Sequence, residues 1–350
     1  MSVPLRPDLA ALPAYVAGRT VPGAIKLASN EMSLPPLPSV LDAVARTAAA
    51  GNRYPDIGVA ALTSRLAEHH GVGGDRIAVG CGSVALCQQL VQSVCSPGDE
   101  VVFAWRSFEA YPIVSLIGHA RGVPVPLDAG HVHDLDAMAA AITPSTRMVF
   151  VCNPNNPTGT AVRRDALVAF LARVPEHVVV VLDEAYREFV TDPDVPDGLA
   201  LLDAHPNVVV LRTFSKAHRL AGLRVGFAVA PRELAATLRA VSIPFSVNSL
   251  AQAAAIAALD ALDELLADCV DTVHERARVE AALHELGYSV PPSQSNFVWL
   301  PLGEDATRFS EHALDNKVVV RAFAGDGVRV SAGTPEENDL FLSAAASFPR

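Results

Sequence analysis

The chain lacks any run of about 18 uninterrupted apolar residues, the length that a membrane-spanning helix requires. Its opening, Met1-Ser2-Val3-Pro4-Leu5-Arg6-Pro7, lacks the apolar core of a secretory signal. Basic clusters are absent too. Lys+Arg of 27 against Asp+Glu of 38 give a formal net charge of −11, which argues against nucleic acid or an anionic membrane as a partner. Cysteine is scarce: Cys81, Cys87, Cys95, Cys152 and Cys269 form no Cys-x-x-Cys pair, and their odd number does not make a complete disulfide framework. All five are expected to be reduced, mostly packing residues. His131-Val132-His133-Asp134 has no second ligand cluster beside it and is expected to be an exposed polar loop, not a metal site. What these absences leave is an acidic, cytoplasmic, metal-free globular protein.

Half of the 350 residues are hydrophobic, enough to bury a large core and to build two lobes. Short apolar runs at Arg76–Val79, Glu100–Phe103, Ala120–Pro126, Arg147–Cys152, Val178–Leu182, Asn207–Leu211 and Arg224–Val229 read as strands. Ala-rich stretches of helical period, such as Val84–Val94, Asp165–Arg173 and Pro231–Ala240, lie between them. Valine-rich strands alternating with helices predict an α/β fold with a mostly parallel, seven-stranded sheet covered on both faces. After Ser242-Ile243-Pro244-Phe245 the pattern changes to a long helical region, about Ser249 to Leu286. Strand-like pieces at Asn296–Leu300, Val318–Arg321 and Gly327–Ser331 and a last helix from Pro335 follow, as in an α+β domain. The expected division is an N-terminal arm at 1–38, a large domain at 39–244 and a small domain at 245–350.

In a parallel sheet the ligand crevice lies beyond the carboxyl ends of the strands. The fourth run ends in Asn153-Pro154-Asn155-Asn156-Pro157-Thr158-Gly159, a proline-forced turn presenting side-chain amides. The fifth delivers Asp183-Glu184-Ala185-Tyr186, and the sixth Thr213-Phe214-Ser215-Lys216, with Arg224 shortly beyond. A lysine there can condense with an aldehyde, provided its pKa falls well below roughly 10.4, and the Ser215/Arg224 pair suits that aldehyde's phosphate. Gly80-Cys81-Gly82-Ser83-Val84 links a strand to a helix start, where exposed N–H groups favour an anion.

Together these segments resemble the motifs of fold-type I, class-II pyridoxal 5'-phosphate (PLP) aminotransferases. The resemblance covers essentially the whole chain. It implies Lys216 as the catalytic lysine, Asp183 as the partner of the pyridine nitrogen, and Asn156 and Tyr186 as donors to the phenolic oxygen. Ser215, Arg224, Gly82, Ser83 and Val84 then surround the phosphate. Phe108, in Trp105-Arg106-Ser107-Phe108, matches the ring that stacks on PLP better than Trp105 does. Tyr54, in Asn52-Arg53-Tyr54-Pro55, matches a tyrosine that reaches the neighbouring subunit's phosphate, which implies a homodimer. Arg329, in Gly327-Val328-Arg329-Val330-Ser331, matches the arginine that grips the substrate α-carboxylate, and Asn30 borders the same site. Glu184 and Glu188 are expected to be structural.

The family indicated is that of histidinol-phosphate aminotransferases. Within it, Ala24-Ile25-Lys26-Leu27-Ala28-Ser29-Asn30-Glu31, Phe103-Ala104-Trp105-Arg106-Ser107-Phe108-Glu109 and Pro292-Ser293-Gln294-Ser295-Asn296-Phe297-Val298-Trp299 are similar to the aromatic amino acid (phenylalanine) branch. The implied reaction is ping-pong amino transfer from an aromatic amino acid to 2-oxoglutarate, with histidinol-phosphate transamination as the alternative. Arg321 suits either substrate phosphate or a distal carboxylate. Two segments depart from the family pattern. His218-Arg219 stands where an aromatic residue and glycine are usual, and Met32-Ser33-Leu34-Pro35 replaces an Asn-Pro-x-Gly style turn. A PLP-dependent lyase or decarboxylase would share Lys216 and Asp183, and the carboxylate arginine retained with the whole family pattern argues modestly against it; a PLP-fold transcription regulator would need an added DNA-binding module.

Overall fold

The computed structural model describes residues 18–349 together with Val3, Arg6, Pro7, Leu9 and Leu12. Much of the expected N-terminal arm, including Leu5, therefore lies outside the described residues. Among the described residues the first strand is β1 (Ile25–Lys26), in a segment expected to have no regular structure. Seven strands follow: β2 (Ile77–Gly80), β3 (Glu100–Trp105), β4 (Arg121–Pro126), β5 (Thr146–Cys152), β6 (Val179–Asp183), β7 (Val208–Thr213) and β8 (Gly226–Val229). They form one sheet in the order β2-β8-β7-β6-β5-β3-β4, matching the seven runs seen in the sequence. Only β8 runs antiparallel to its neighbours, pairing so with both β2 and β7.

Alternation along the strands explains why both faces are covered. On β5, Val149 and Val151 join one apolar cluster while Met148, Phe150 and Cys152 join the other. On β7, Val208 and Val210 divide from Val209 and Leu211 in the same way. Each such fully buried side chain contributes roughly 1.5–3 kcal/mol, and one residue of slip would exchange every one between faces. The helix Ser83–Val94 covers one face, and Ser249–Asp260, packed against Pro38–Ala48, belongs to the cluster on the other.

A second, antiparallel sheet holds β9 (Phe297–Leu300), β11 (Arg321–Phe323) and β12 (Gly327–Ser331), with β12 in the centre. β10 (Val318–Val319) pairs instead with β1, so the single strand expected at Val318–Arg321 is divided between two sheets. The long helical region is likewise two helices, Ser249–Asp260 and Leu262–Glu285, broken at Ala261. We propose that the two lobes correspond to the two larger sheets, and that Ser249–Asp260 is counted with the seven-stranded one. Among the described residues, no helix is long and apolar enough to cross a membrane.

Candidate active site

The carboxyl ends of β5, β6 and β7 lie side by side and deliver Asn156, Asp183 and Lys216 to one cavity of about 230 Å³. The turn after β5 is fixed from within. The Asn153 amide brackets Val162, donating to its carbonyl (3.1 Å) and accepting from its N–H (2.8 Å). Asn155 accepts from Ser107 (2.7 Å), donates to Thr158 (2.8 Å), and lies 3.1 Å from His133 Nε2. His133 is thus not part of an exposed loop. It is buried against Asn155, and burial lowers its pKa to about 4. Among the described residues, no group of His, Cys, Asp and Glu could hold a metal ion.

Lys216 is partly buried, with Nζ donating to the Ser29 carbonyl (3.1 Å). Burial, then the charges of Arg329 and Arg224, lower its pKa to about 7, while Glu31 opposes them. Neutral amine is therefore abundant near neutral pH, as a nucleophile or base requires. Asp183 is buried, and burial raises its pKa to about 6 against the pull of the Tyr111 hydroxyl and the Ala185 N–H. Oδ2 accepts from Tyr111 (2.8 Å), whereas Oδ1 is buried without a partner. A buried carboxylate oxygen left so is costly unless something cationic meets it. The neighbouring Glu184 is structural: it accepts from Arg212 (2.8 Å) and from the Gly198 N–H (2.6 Å).

At the other end of the cavity, Arg224 donates to Ser215 Oγ (3.2 Å) and the Ala221 carbonyl (2.8 Å). Gly82 stands before the helix Ser83–Val94 with φ +78°, and a Cβ there would run into the Arg224 guanidinium. Glycine is required on both counts. The helix N-terminus, the hydroxyl and the guanidinium make a cradle for a dianion. Ser83, Val84, Ser215 and Arg224 line the cavity directly, whereas Gly82 acts from behind.

Arg329 and Arg321 are direct cross-strand partners on β12 and β11, and both line the cavity. Arg329 donates to the Asn156 amide oxygen (2.5 Å) and the Ala28 carbonyl (2.8 Å). Arg321 donates to Glu109 (2.8 Å). Asn30 has φ +54°, a left-handed conformation that Asn tolerates better than most residues. From there its amide donates to the Tyr186 hydroxyl (2.9 Å), and its N–H to Ser331 (2.8 Å). Phe108 lines the cavity and Trp105 does not, as the sequence match favoured.

Tyr54 is the expected site residue that this chain does not bring to the cavity. It is 81% exposed and stacks on Phe245 at 4.5 Å. The His218-Arg219 departure places no cation in the cavity. His218 is buried beside Phe214, and Arg219, at φ +60°, turns away to pair with Asp268 and the Pro35 carbonyl. A left-handed backbone at that position explains why glycine is usual there. Sequence reasoning missed Tyr111, the Ser29 carbonyl, Glu109 and Phe323. Only Glu109 had a signal, as the neighbour of Phe108.

A lysine, a buried carboxylate, an anion cradle and paired arginines on one crevice define a class of enzyme. The model of the "Aminotransferase class I and II" family matches residues 22–344, and the chain belongs to that family. It is similar to the aromatic amino acid aminotransferase of Mycobacteroides abscessus, at 58% identity over 342 residues, 98% of each chain. It is 57% identical to that of Nocardia farcinica over 349 residues, 99% of this chain and 98% of the relative. Among solved structures, histidinol-phosphate aminotransferase from Sinorhizobium meliloti in complex with pyridoxal-5'-phosphate matches with a TM-score of 0.88. There the identity is 30%, over 98% of this chain and 96% of that one. The fold is that of the fold-type I aminotransferases.

Proposed function

We propose that the chain is a PLP-dependent aromatic amino acid aminotransferase, passing an amino group between a phenylalanine-like amino acid and 2-oxoglutarate by a ping-pong route. The observation that carries this reading is the convergence of Lys216, Asp183, Arg224 and Arg329 on one cavity walled by Phe108 and Phe323. The near-full-length relatives named for aromatic amino acids support the substrate class.

The residues fit the cofactor. Asp183 Oδ1, buried and unpartnered, suits a protonated ring nitrogen, and the cradle of Ser83, Ser215 and Arg224 suits its phosphate. Tyr186 and Asn156 would meet the phenolic oxygen and Phe108 a ring face. When bound, the group supplies an electron sink for negative charge developing at the substrate Cα. Arg329 would hold the α-carboxylate through its planar fork, fixing which bond at Cα is aligned for cleavage. Lys216 would join the cofactor aldehyde at rest and, once displaced, take the proton from Cα. Its lowered pKa suits that exchange.

The active unit in this reading is a cytoplasmic homodimer in which Tyr54 reaches the neighbouring site. Tyr54 and Phe245 lie among other exposed apolar side chains, Ile57 and Ile243, a patch unusual on a surface that stays in water. Sedimentation equilibrium should give a dimer, and a fully active monomer would overturn this part.

Histidinol-phosphate transamination is the second reading, and it rests on Arg321 beside Arg329. The Glu109 carboxylate on Arg321 counts against a dianionic ligand there. Single-turnover loss of the cofactor's visible band decides between them. Phenylalanine should react faster than histidinol phosphate, with 2-oxoglutarate restoring the band. The reverse order would move the protein to the second reading.

A further inference from the structure

A ping-pong aminotransferase must take two unlike side chains into one cavity. In the reading above one is a neutral aromatic ring and the other carries a distal carboxylate. Arg321 and Arg329 stand directly opposite each other on adjacent strands, an arrangement of like charges that is destabilising by itself. Arg329 is buried against the Asn156 amide and the Ala28 carbonyl. Arg321 reaches Glu109, which lines the same cavity from the connection between β3 and the helix Ala110–Ile117. Glu109 directly precedes the helix Ala110–Ile117, and its side chain makes no cap hydrogen bond to it. Its carboxylate is spent on Arg321 instead. The side chains of the pair are 15% and 29% exposed, so the interaction is only partly screened by water. The Arg321 guanidinium also lies 5.2 Å from the centroid of Phe323, a cavity wall.

We infer that Glu109 is a specificity-determining residue, a resident counter-ion that competes with the substrate's own distal carboxylate for Arg321. This rests on the amino-transfer reading. With Glu109 in place the Arg321 end of the cavity is neutral overall, and an aromatic side chain can lie against Phe323 without facing an unpaired cation. A side chain ending in a carboxylate must draw Arg321 away from Glu109 and tolerate a like charge nearby. Glu109 therefore sets the balance between ring and acid, and a phosphate dianion is penalised most.

The test compares Glu109→Gln with the wild type, both loaded with cofactor, on L-glutamate and L-phenylalanine. These share the α-amino and α-carboxylate groups, so the ratio of their kcat/KM values isolates the side-chain end. Removing the competing charge should raise the glutamate-to-phenylalanine ratio about tenfold. By calorimetry, the Kd of glutarate should fall relative to that of 3-phenylpropanoate, without any turnover. In Glu109→Gln combined with Arg321→Gln the gain should vanish, because nothing remains to be freed. A ratio that stays within about twofold of wild type, or a gain that survives loss of Arg321, overturns the inference. Equal loss on both substrates does the same, since that is the signature of a structural residue. Should Gln at this position prevent folding, Glu109→Asp carries the test through a smaller shift in the same direction. If the wild type fails to use phenylalanine at all, the proposed function falls, while the two carboxylate probes still report on Glu109.

Discussion

Lys216→Ala should erase the visible absorption band of the cofactor-loaded protein and lower amino transfer by at least about 10³-fold. Two losses combine. The side chain that joins the cofactor aldehyde is gone, and so is the base that removes the Cα proton. Circular dichroism should stay that of the folded protein, because the lysine stands at the cavity rather than in either apolar cluster. A persisting band, or activity within tenfold of wild type, would sink the assignment. The cofactor-free protein supplies a second signature. Lys216 titrates near 7 when folded and near roughly 10.4 when unfolded, so the folded state binds fewer protons between those values. Stability from this group is present above about pH 10 and is lost as the pH falls through about 7. Melting temperature against pH should show that rise in the wild type, and Lys216→Ala should flatten it. A variant with the wild-type slope would remove the lysine from the account.

Asp183→Asn should lower kcat by about 10²–10³-fold while leaving the KM for the amino acid little changed. Asparagine keeps the shape and can still meet Tyr111, so only the charge is lost. The carboxylate titrates near 6 because it is buried. A protonated ring nitrogen at Oδ1 would pull that value down and hold the pair ionised at neutral pH. Without the anion the ring nitrogen loses its proton and the electron sink weakens. In the proposed function the substrate carboxylate is held by Arg329, on the other sheet, so its binding should be untouched. Stopped-flow kinetics would separate the two. A kcat within threefold of wild type, or a loss confined to KM, would make Asp183 a structural residue.

Much of this site could be read from the chain because its parts lie at strand ends. Asn156, Asp183 and Lys216 each follow an uninterrupted apolar run, and their order along the chain is their order across β5, β6 and β7. Tyr111 gave no such sign and Glu109 only its place beside Phe108, since their partners are 72 and 212 residues away in sequence. His133 looked exposed because it lies in a His-Val-His-Asp stretch, whereas its own ring is buried on Asn155. The break at Ala261 has no Gly or Pro to announce it. Val318–Arg321 looked like one strand because a β pattern says nothing about which partner each residue takes.

Arg219 has a consequence for how firmly Lys216 is placed. Its guanidinium is buried, and it ties the loop after Lys216 to Asp268 on the helix Leu262–Glu285 and to Pro35 in the arm. Parting these elements would break a largely buried ion pair and a carbonyl hydrogen bond, so the loop is held there. The reactive amine is thereby braced from outside the cavity, by a residue three positions along the chain that does not line it.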